Sequence, residues 1–392
     1  MVKATYRRSV LALAVAGALA SGGFRAHADG RRDERHERGD DDRGVKTVFV
    51  IAMENHNWTQ PATQASPQQI FLNPAAPFIN SLVNGTSGIS GQVAFANAYV
   101  NAGTGVHPSE PNYIWAEAGT NFGVFNDDSP YHADCTADTV QTTDQHLSAF
   151  LTRARRTWRS YQEDTDVDAA NAARPESAWT VPLFSASGVF ASPGLNASNY
   201  SRQFNYAAKH NPMVFFSDTS GGCDTTPSNT MRLQYAPLQQ LALDLQKDAV
   251  ADYNWITPNQ FNDMHTTLAT NYGVFTGDAA RIAQGDNFVA RAVPLIMASE
   301  AYRHHGAIVL WWDESEGGDS PAQTLPFIVI SKDAQGNVEA APYSNTIQCS
   351  HSSFLRTMQE ILGVSPRTSY PWLGDAANAA DVSDLFKPHA IE

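Results

Sequence analysis

Val45-Lys46-Thr47-Val48-Phe49-Val50-Ile51-Ala52-Met53 runs straight into Glu54-Asn55-His56, and Ala307-Ile308-Val309-Leu310-Trp311-Trp312 runs straight into Asp313-Glu314. Each apolar run is short, continuous and rich in Val and Ile, the pattern of a strand covered on both faces in a parallel sheet. Such sheets bind ligands in the crevice beyond the carboxyl ends of their strands. Acids at two of these ends, far apart in the chain, point to one divalent-metal site assembled from remote segments.

Further strand-like runs occupy 93–100, 213–217, 253–257 and 326–331, and helical periodicity fits 142–158, 239–249, 286–305 and 352–362. Strands alternating with helices predict a layered α/β fold with a mostly parallel sheet. The 165–203 stretch, rich in Ala, Ser, Asn and Pro with scattered aromatics, reads as an insertion near the site. Gly85-Thr86-Ser87-Gly88-Ile89-Ser90-Gly91 lacks the lysine of a phosphate loop and reads as ordinary loop.

Residues 1–28 have the form of an export signal: Lys3, Arg7 and Arg8, then apolar Val10 to Ala20, then Ala26-His27-Ala28 as the cleavage pattern. Arg7-Arg8 also fits a twin-arginine signal. Residues 29–43 hold twelve charged side chains in fifteen, seven acidic and five basic, and form a solvated linker. The expectation is an exported protein, periplasmic or extracellular, with residues 44–392 as a single domain. No later apolar run reaches the roughly 18–20 residues of a membrane helix.

The first 28 residues carry four of the 26 bases and none of the 40 acids, so their removal takes the net charge from −14 to −18. That balance excludes broad affinity for nucleic acid or anionic membranes. It leaves room for a phosphorylated substrate, because bound cations reverse the local field. Cys135, Cys223 and Cys349 allow one disulfide and one free thiol, with the pairing open.

Five segments carry candidate chemistry. Glu54 and Asn55 offer two hard oxygen ligands at a strand end, although Asn is equally at home in a turn or cap. In His107-Pro108-Ser109-Glu110-Pro111-Asn112-Tyr113, Ser109 stands where a helix starts. Free N–H groups there favour a phosphate, and an N-cap role is compatible with that. A serine becomes a nucleophile only when a base or metal activates it. Asp263 and His265 follow the 253–257 strand and together suit a zinc-like or mixed site. Asp313 and Glu314 end so apolar a strand that burying them is unfavourable unless a cation offsets their desolvation. Trp311 and Trp312 point to opposite faces, so at least one belongs to the core. His351, at a helix start, stays neutral and can offer imidazole to a metal.

These motifs occur in a characteristic order: Glu-Asn-His, His-Pro-Ser-x-Pro-Asn-Tyr, Asn-Asp-Met-His, Asp-Glu-Ser, and a late His-Ser before Phe354-Leu355-Arg356-Thr357. Over roughly residues 45–365 the chain resembles the phosphoesterase family of secreted acid phosphatases and phosphatidylcholine-type phospholipases C, within the alkaline-phosphatase-like superfamily. Thr157-Trp158-Arg159-Ser160-Tyr161-Gln162-Glu163 and Lys209-His210-Asn211-Pro212 are similar to family segments too. The resemblance implies a three-layer α/β/α sandwich with the site at the carboxyl edge of the sheet. Ser109 would be the nucleophile. Glu54, Asn55, Asp313 and Glu314 would form one metal group, and Asp263, His265 and His351 a second. The cofactor expected is one or two divalent ions, with zinc and calcium as candidates. Asn126 is the nearest counterpart of the superfamily's oxyanion-stabilising asparagine, in competition with Asp127, and Asn112 is a second substrate-side candidate.

The expected activity is hydrolysis of phosphomonoesters through a phosphoserine at Ser109, with His107 and His210 contacting phosphate oxygens or protonating the leaving group. A phospholipase C acting on phospholipids is the alternative, disfavoured by the acidic balance and the polar insertion. A calcium-stabilised secreted binding protein is a more distant alternative, opposed by the placement of the acids at parallel-strand ends. No Cys-x-Pro-x-Arg stretch supplies the modified nucleophile of a sulfatase.

Overall fold

The computed structural model describes residues 44–132, 134–168, 172–179, 205–266 and 271–391. The expected signal (1–28), the linker (29–43) and most of the expected insertion (165–203) lie outside the described residues. The strands are β1 (Thr47–Met53), β2 (Val93–Ala96), β3 (Tyr99–Val100), β4 (Trp158–Gln162), β5 (Tyr235–Pro237), β6 (Tyr253–Thr257), β7 (Gly306–Trp312), β8 (Phe327–Ser331), β9 (Tyr343–Asn345) and β10 (Cys349–Ser350). Eight of them make one sheet in the order β5-β4-β6-β1-β7-β8-β2-β9, and β10 pairs with β3 separately. Only β8 runs against its neighbours in the large sheet, β7 and β2.

β6, β7 and β8 are buried along their whole length, as is β1 apart from Thr47. Strands this apolar must be covered on both faces, and helices provide the cover. The longest, Gly277–Met297, buries Ile282, Phe288, Val289, Val293 and Ile296. Trp311 and Trp312 are both fully buried, so neither is a substrate platform. No helix among the described residues is long and apolar enough to cross a membrane.

Register places the site. β1 lies parallel between β6 and β7, with Met53 opposite Trp312, so Glu54 and Asp313 emerge side by side. β4 lies parallel to β6 with Gln162 opposite Thr257, which brings Glu163 and the 258–263 loop to the same edge.

The fold departs from the sequence pattern in four places, the first being the helix expected over 286–305, which begins at Gly277, stops at Met297 and is followed by a short helix, Glu300–Arg303. The expected strand 213–217 is a 3-10 turn, Pro212–Phe215, leading into a short helix, Ser217–Ser220; its apolar run is buried and pairs through an isolated parallel bridge between Phe216 and Gln141. The 93–100 run divides between β2 and β3, which belong to different sheets. The helical pattern of 142–158 holds only for Leu147–Arg153, and Trp158 opens β4. β4 gave no apolar signal because its buried Ser160 and Gln162 are polar, satisfied by Asn211 and Thr257. Cys135 pairs with Cys223, leaving Cys349 as a buried thiol.

Candidate active site

Ser109 is the first residue of the helix Ser109–Ala118, which stops at Gly119 in the left-handed conformation, φ 67°. A Cβ at Gly119 would stand 2.3 Å from the Leu373 carbonyl oxygen, so only glycine fits there. Asn112 braces the approach to the serine from within: its Nδ2 donates to the Val106 carbonyl at 2.9 Å and its Oδ1 accepts from the Ala102 N–H at 3.3 Å. Its amide is thereby spent on backbone and not on a substrate.

The helix start lies against the acids of β1 and β7. Ser109 Oγ is 3.0 Å from Glu54 Oε2 and 3.3 Å from Glu314 Oε1. Tyr113, one turn along, donates its hydroxyl to Glu54 Oε1 at 2.5 Å. On the other side of Glu54, His210 places Nε2 3.1 Å from Glu54 Oε1 and Nδ1 3.3 Å from Asp263 Oδ2, yet neither nitrogen makes a well-directed hydrogen bond. The ligand atoms of Glu54, His210 and Asp263 all lie within 4.8 Å of one another. Both oxygens of Asp313 and Oδ2 of Asp263 are buried without a hydrogen-bond partner among the described residues.

Electrostatics sharpen this picture. Burial pushes the Glu54 carboxyl up to about 8, with Glu314 adding to the rise and Lys209 opposing it. Burial, then the charges of Glu54 and Glu314, hold Asp313 well above the usual carboxylate range. Asp263 is raised by burial and by Glu54. Burial, with the nearby Lys209 charge, holds His210 far below its ordinary value, so the ring is neutral. Crowded acids with orphaned oxygens around a neutral imidazole make a donor set that fits a divalent cation, whose charge would satisfy all of them together.

The metal groupings expected from sequence need correcting. His351 does not join Asp263. Its Nε2–H donates to the Asp313 backbone carbonyl, and its Nδ1 accepts from the Tyr99 hydroxyl at 2.8 Å, itself receiving the Trp311 Nε1–H at 3.0 Å. With both nitrogens committed it orients the Asp313 backbone. His265 bonds through Nδ1 to Thr266 Oγ1 at 3.0 Å, its ring centroid 6.1 Å from that of His210. His210, expected to contact phosphate oxygens or to protonate the leaving group, occupies the place beside Asp263, and a neutral buried ring has no acidic proton to give. Asn55 follows Glu54 half-buried. Asn126 is exposed and donates to Asp128.

His107 sits between Glu314 (through Nδ1) and Asp319 (Nε2 at 2.8 Å). The hydrogen bond to Glu314 outweighs partial burial and lifts its pKa to about 9, so the ring carries a charge. Three further residues had no assigned role in the sequence. Tyr113 and Lys209 stood inside the motifs already quoted, and Asp319 closes the Asp313–Asp319 loop. Lys209 donates to Asp127 Oδ2 at 2.7 Å, and Asp127 Oδ1 accepts the Glu110 N–H at 3.1 Å, beside Ser109. Only the arrival of the Lys209 charge among these acids, a tertiary fact, marks it.

The phosphoesterase family model matches residues 50–365 of the chain. The chain belongs to the phosphoesterase family. Its chemistry is therefore hydrolysis of phosphoric esters. It is 26% identical over 339 residues to the phosphatidylinositol-3-phosphatase of Mycobacterium tuberculosis, covering 86% of this chain and 82% of that one. It is 26% identical over 226 residues to the phosphate-repressible acid phosphatase of Penicillium chrysogenum, covering 57% of this chain and 42% of that longer one. Among solved structures, the lipoteichoic acid synthase LtaP of Listeria monocytogenes aligns over 88% of this phosphoesterase and 79% of its own chain, with TM-score 0.44 and 10% identity.

Proposed function

We propose that this phosphoesterase is an exported, metal-dependent acid phosphatase that hydrolyses phosphomonoesters through a phosphoserine at Ser109. The observation that carries the reading is the serine hydroxyl at a helix start, 3.0 Å from Glu54 and 3.3 Å from Glu314, inside a cluster of unsatisfied buried acids. The acid phosphatases among its relatives support it. The Cys135–Cys223 disulfide supports an oxidising destination.

Glu54, His210 and Asp263 would hold one divalent ion, and Asp313, Glu314 and Asn55 supply oxygen ligands alongside. When bound, the ion supplies charge neutralisation for the transferring group and acidifies hydroxyls near it. Ser109 Oγ attacks phosphorus in line with the leaving oxygen, and its proton passes to Glu54 Oε2, 3.0 Å away, while Oε1 faces His210 and the other ligands. The cationic His107, 34% exposed, protonates the departing alkoxide. Water then attacks the phosphoserine, returning a proton to His107, while Ser109 recovers its own from Glu54. Lys209 offsets the phosphate charge from the far side of Glu54.

The testing experiment incubates the wild type, Ser109→Ala and a chelated sample with an aryl phosphate monoester, an aryl phosphodiester and phosphatidylcholine vesicles. Monoester turnover by the wild type alone, with phosphate trapped on Ser109 after acid quench, is the expected result. Hydrolysis confined to the diester or the vesicles would replace the phosphatase reading with a phospholipase C.

A further inference from the structure

β4 runs into two adjacent acids, Glu163 and Asp164, whose side-chain hydrogen bonds reach neither Ser109 nor the carboxylates beside it. Their contacts run to two other segments. Glu163 Oε2 accepts the Asn259 N–H at 2.9 Å, and both its oxygens accept from Asn262 Nδ2, at 3.0 and 2.9 Å. Asp164 Oδ2 accepts from Asn259 Nδ2 at 2.9 Å and from the Asn205 N–H at 3.0 Å. Asn259 in turn shapes the loop, its Oδ1 accepting the N–H groups of Phe261 and Asn262 at 3.1 Å each. Its carbonyl receives the Asp263 N–H at 2.9 Å, and the Asp263 carbonyl receives the Glu54 N–H at 2.8 Å. Asn205 begins the segment that reaches His210, and its carbonyl accepts the Gln260 N–H at 3.2 Å.

The pair therefore ties together the segments that carry Asp263 and His210. Two neighbouring acids, Asp164 buried and Glu163 half-buried, repel one another, so they are a poor way to stabilise a fold. They are a good way to fix the angle between two loops, because each carboxylate collects several N–H donors with set directions.

Resting on the reading of Glu54, His210 and Asp263 as metal ligands, we infer that Glu163 and Asp164 are positioning residues that hold the Asp263 and His210 segments at metal-binding separation. Partners standing behind metal ligands typically govern affinity or activity by about 10- to 100-fold. Glu163 uses both oxygens, whereas the bonds to Asp164 converge on Oδ2. Glu163→Ala is thus expected to weaken binding by about 10- to 100-fold. Glu163→Gln, which keeps one acceptor, falls between that variant and the wild type. Asp164→Asn, whose amide oxygen can replace Oδ2, stays close to the wild type.

The test titrates metal-free protein with Zn2+, and separately with Ca2+, by calorimetry, and follows kcat and KM for an aryl phosphate at saturating metal. Tyr161→Phe serves as control. It lies on the same strand, but its hydroxyl bonds to Asp244 at 2.8 Å and to neither ligand segment, so it is expected to move thermal stability and not affinity. The ranking Ala, Gln, Asn from weakest to near wild type, with KM unchanged, supports positioning. If Glu163→Ala does not fold, the gap between Glu163→Gln and Asp164→Asn decides the matter. Wild-type affinity in the Glu163 variants, or equal loss in Tyr161→Phe, overturns it. A wild type that binds neither ion would overturn the metal reading itself and this inference with it.

Discussion

The two ends of the helix Ser109–Ala118 both bury acids, and they treat them in opposite ways. At its carboxyl end Glu117 is saturated: Oε1 accepts from Ser148 Oγ at 3.0 Å, and Oε2 accepts from the Ser148 N–H at 3.0 Å and from His146 Nδ1 at 3.2 Å. His146 completes the arrangement by reaching Asp218 through Nε2 at 2.9 Å. At the amino end Glu54, Asp313 and Glu314 crowd around Ser109, and among the described residues neither Asp313 nor Glu110 receives a well-directed hydrogen bond on either oxygen. A buried acid supplied with donors by its own fold is a structural part. Buried acids that face one another with oxygens left over are held ready for something the chain does not contain.

The comparison breaks most clearly at Ser109. Ser109→Ala is expected to lower aryl phosphate turnover on the order of 10^4-fold or more while leaving the melting temperature near that of the wild type. An active Ser109→Ala enzyme would make the amino-end cluster structural as well.

Glu117→Ala is the mirror experiment. It leaves His146 Nδ1 and both donors of Ser148 without their acceptor and is expected to destabilise by about 3–5 kcal/mol in denaturant unfolding, with kcat per folded molecule unchanged. Loss of kcat in a folded Glu117 variant would erase the distinction between the two ends.

Asp313→Asn tests the same distinction from the side of stability. A carboxyl whose folded pKa is raised opposes folding at any pH above its unfolded value, so neutralising it removes that opposition. In chelated protein the variant is expected to gain about 1–3 kcal/mol, while in metal-loaded protein activity collapses. A loss of stability in chelated protein would show Asp313 already satisfied.

His146 gives the smallest effect. Burial disfavours its charge, but the bonds to Asp218 and Glu117 outweigh burial and hold its pKa above the ordinary 6.5. Its contribution is complete below the unfolded pKa and is lost as the pH rises through the folded value. Thermal melts from about pH 5.5 upward are expected to show the wild type losing stability with rising pH more steeply than His146→Gln. Parallel curves would mean that the carboxyl-end cluster does not depend on the imidazolium.

Much of this contrast was legible in the residue pattern where one segment carried the whole signal. The apolar runs of β1 and β7 announced a covered parallel sheet, and the acids following them announced a site at its carboxyl edge. Ser109 before Pro111 announced a helix start. β4 was not legible, because its buried Ser160 and Gln162 look like surface residues until Asn211 and Thr257 meet them. Glu163 and Asp164 were hidden for the same reason, since their partners are backbone and amide groups of other segments.

The sequence by itself determined the layered α/β fold, the edge on which the acids gather and the serine that faces them. These follow from local burial pattern and from the direction of parallel strands. Only the tertiary structure decided which histidine stands with which acid. His351 is committed to Tyr99 and the Asp313 backbone, His265 to Thr266, and His210 faces Glu54 and Asp263. The face an imidazole presents depends on which distant segments pack around it, and no spacing along the chain encodes that.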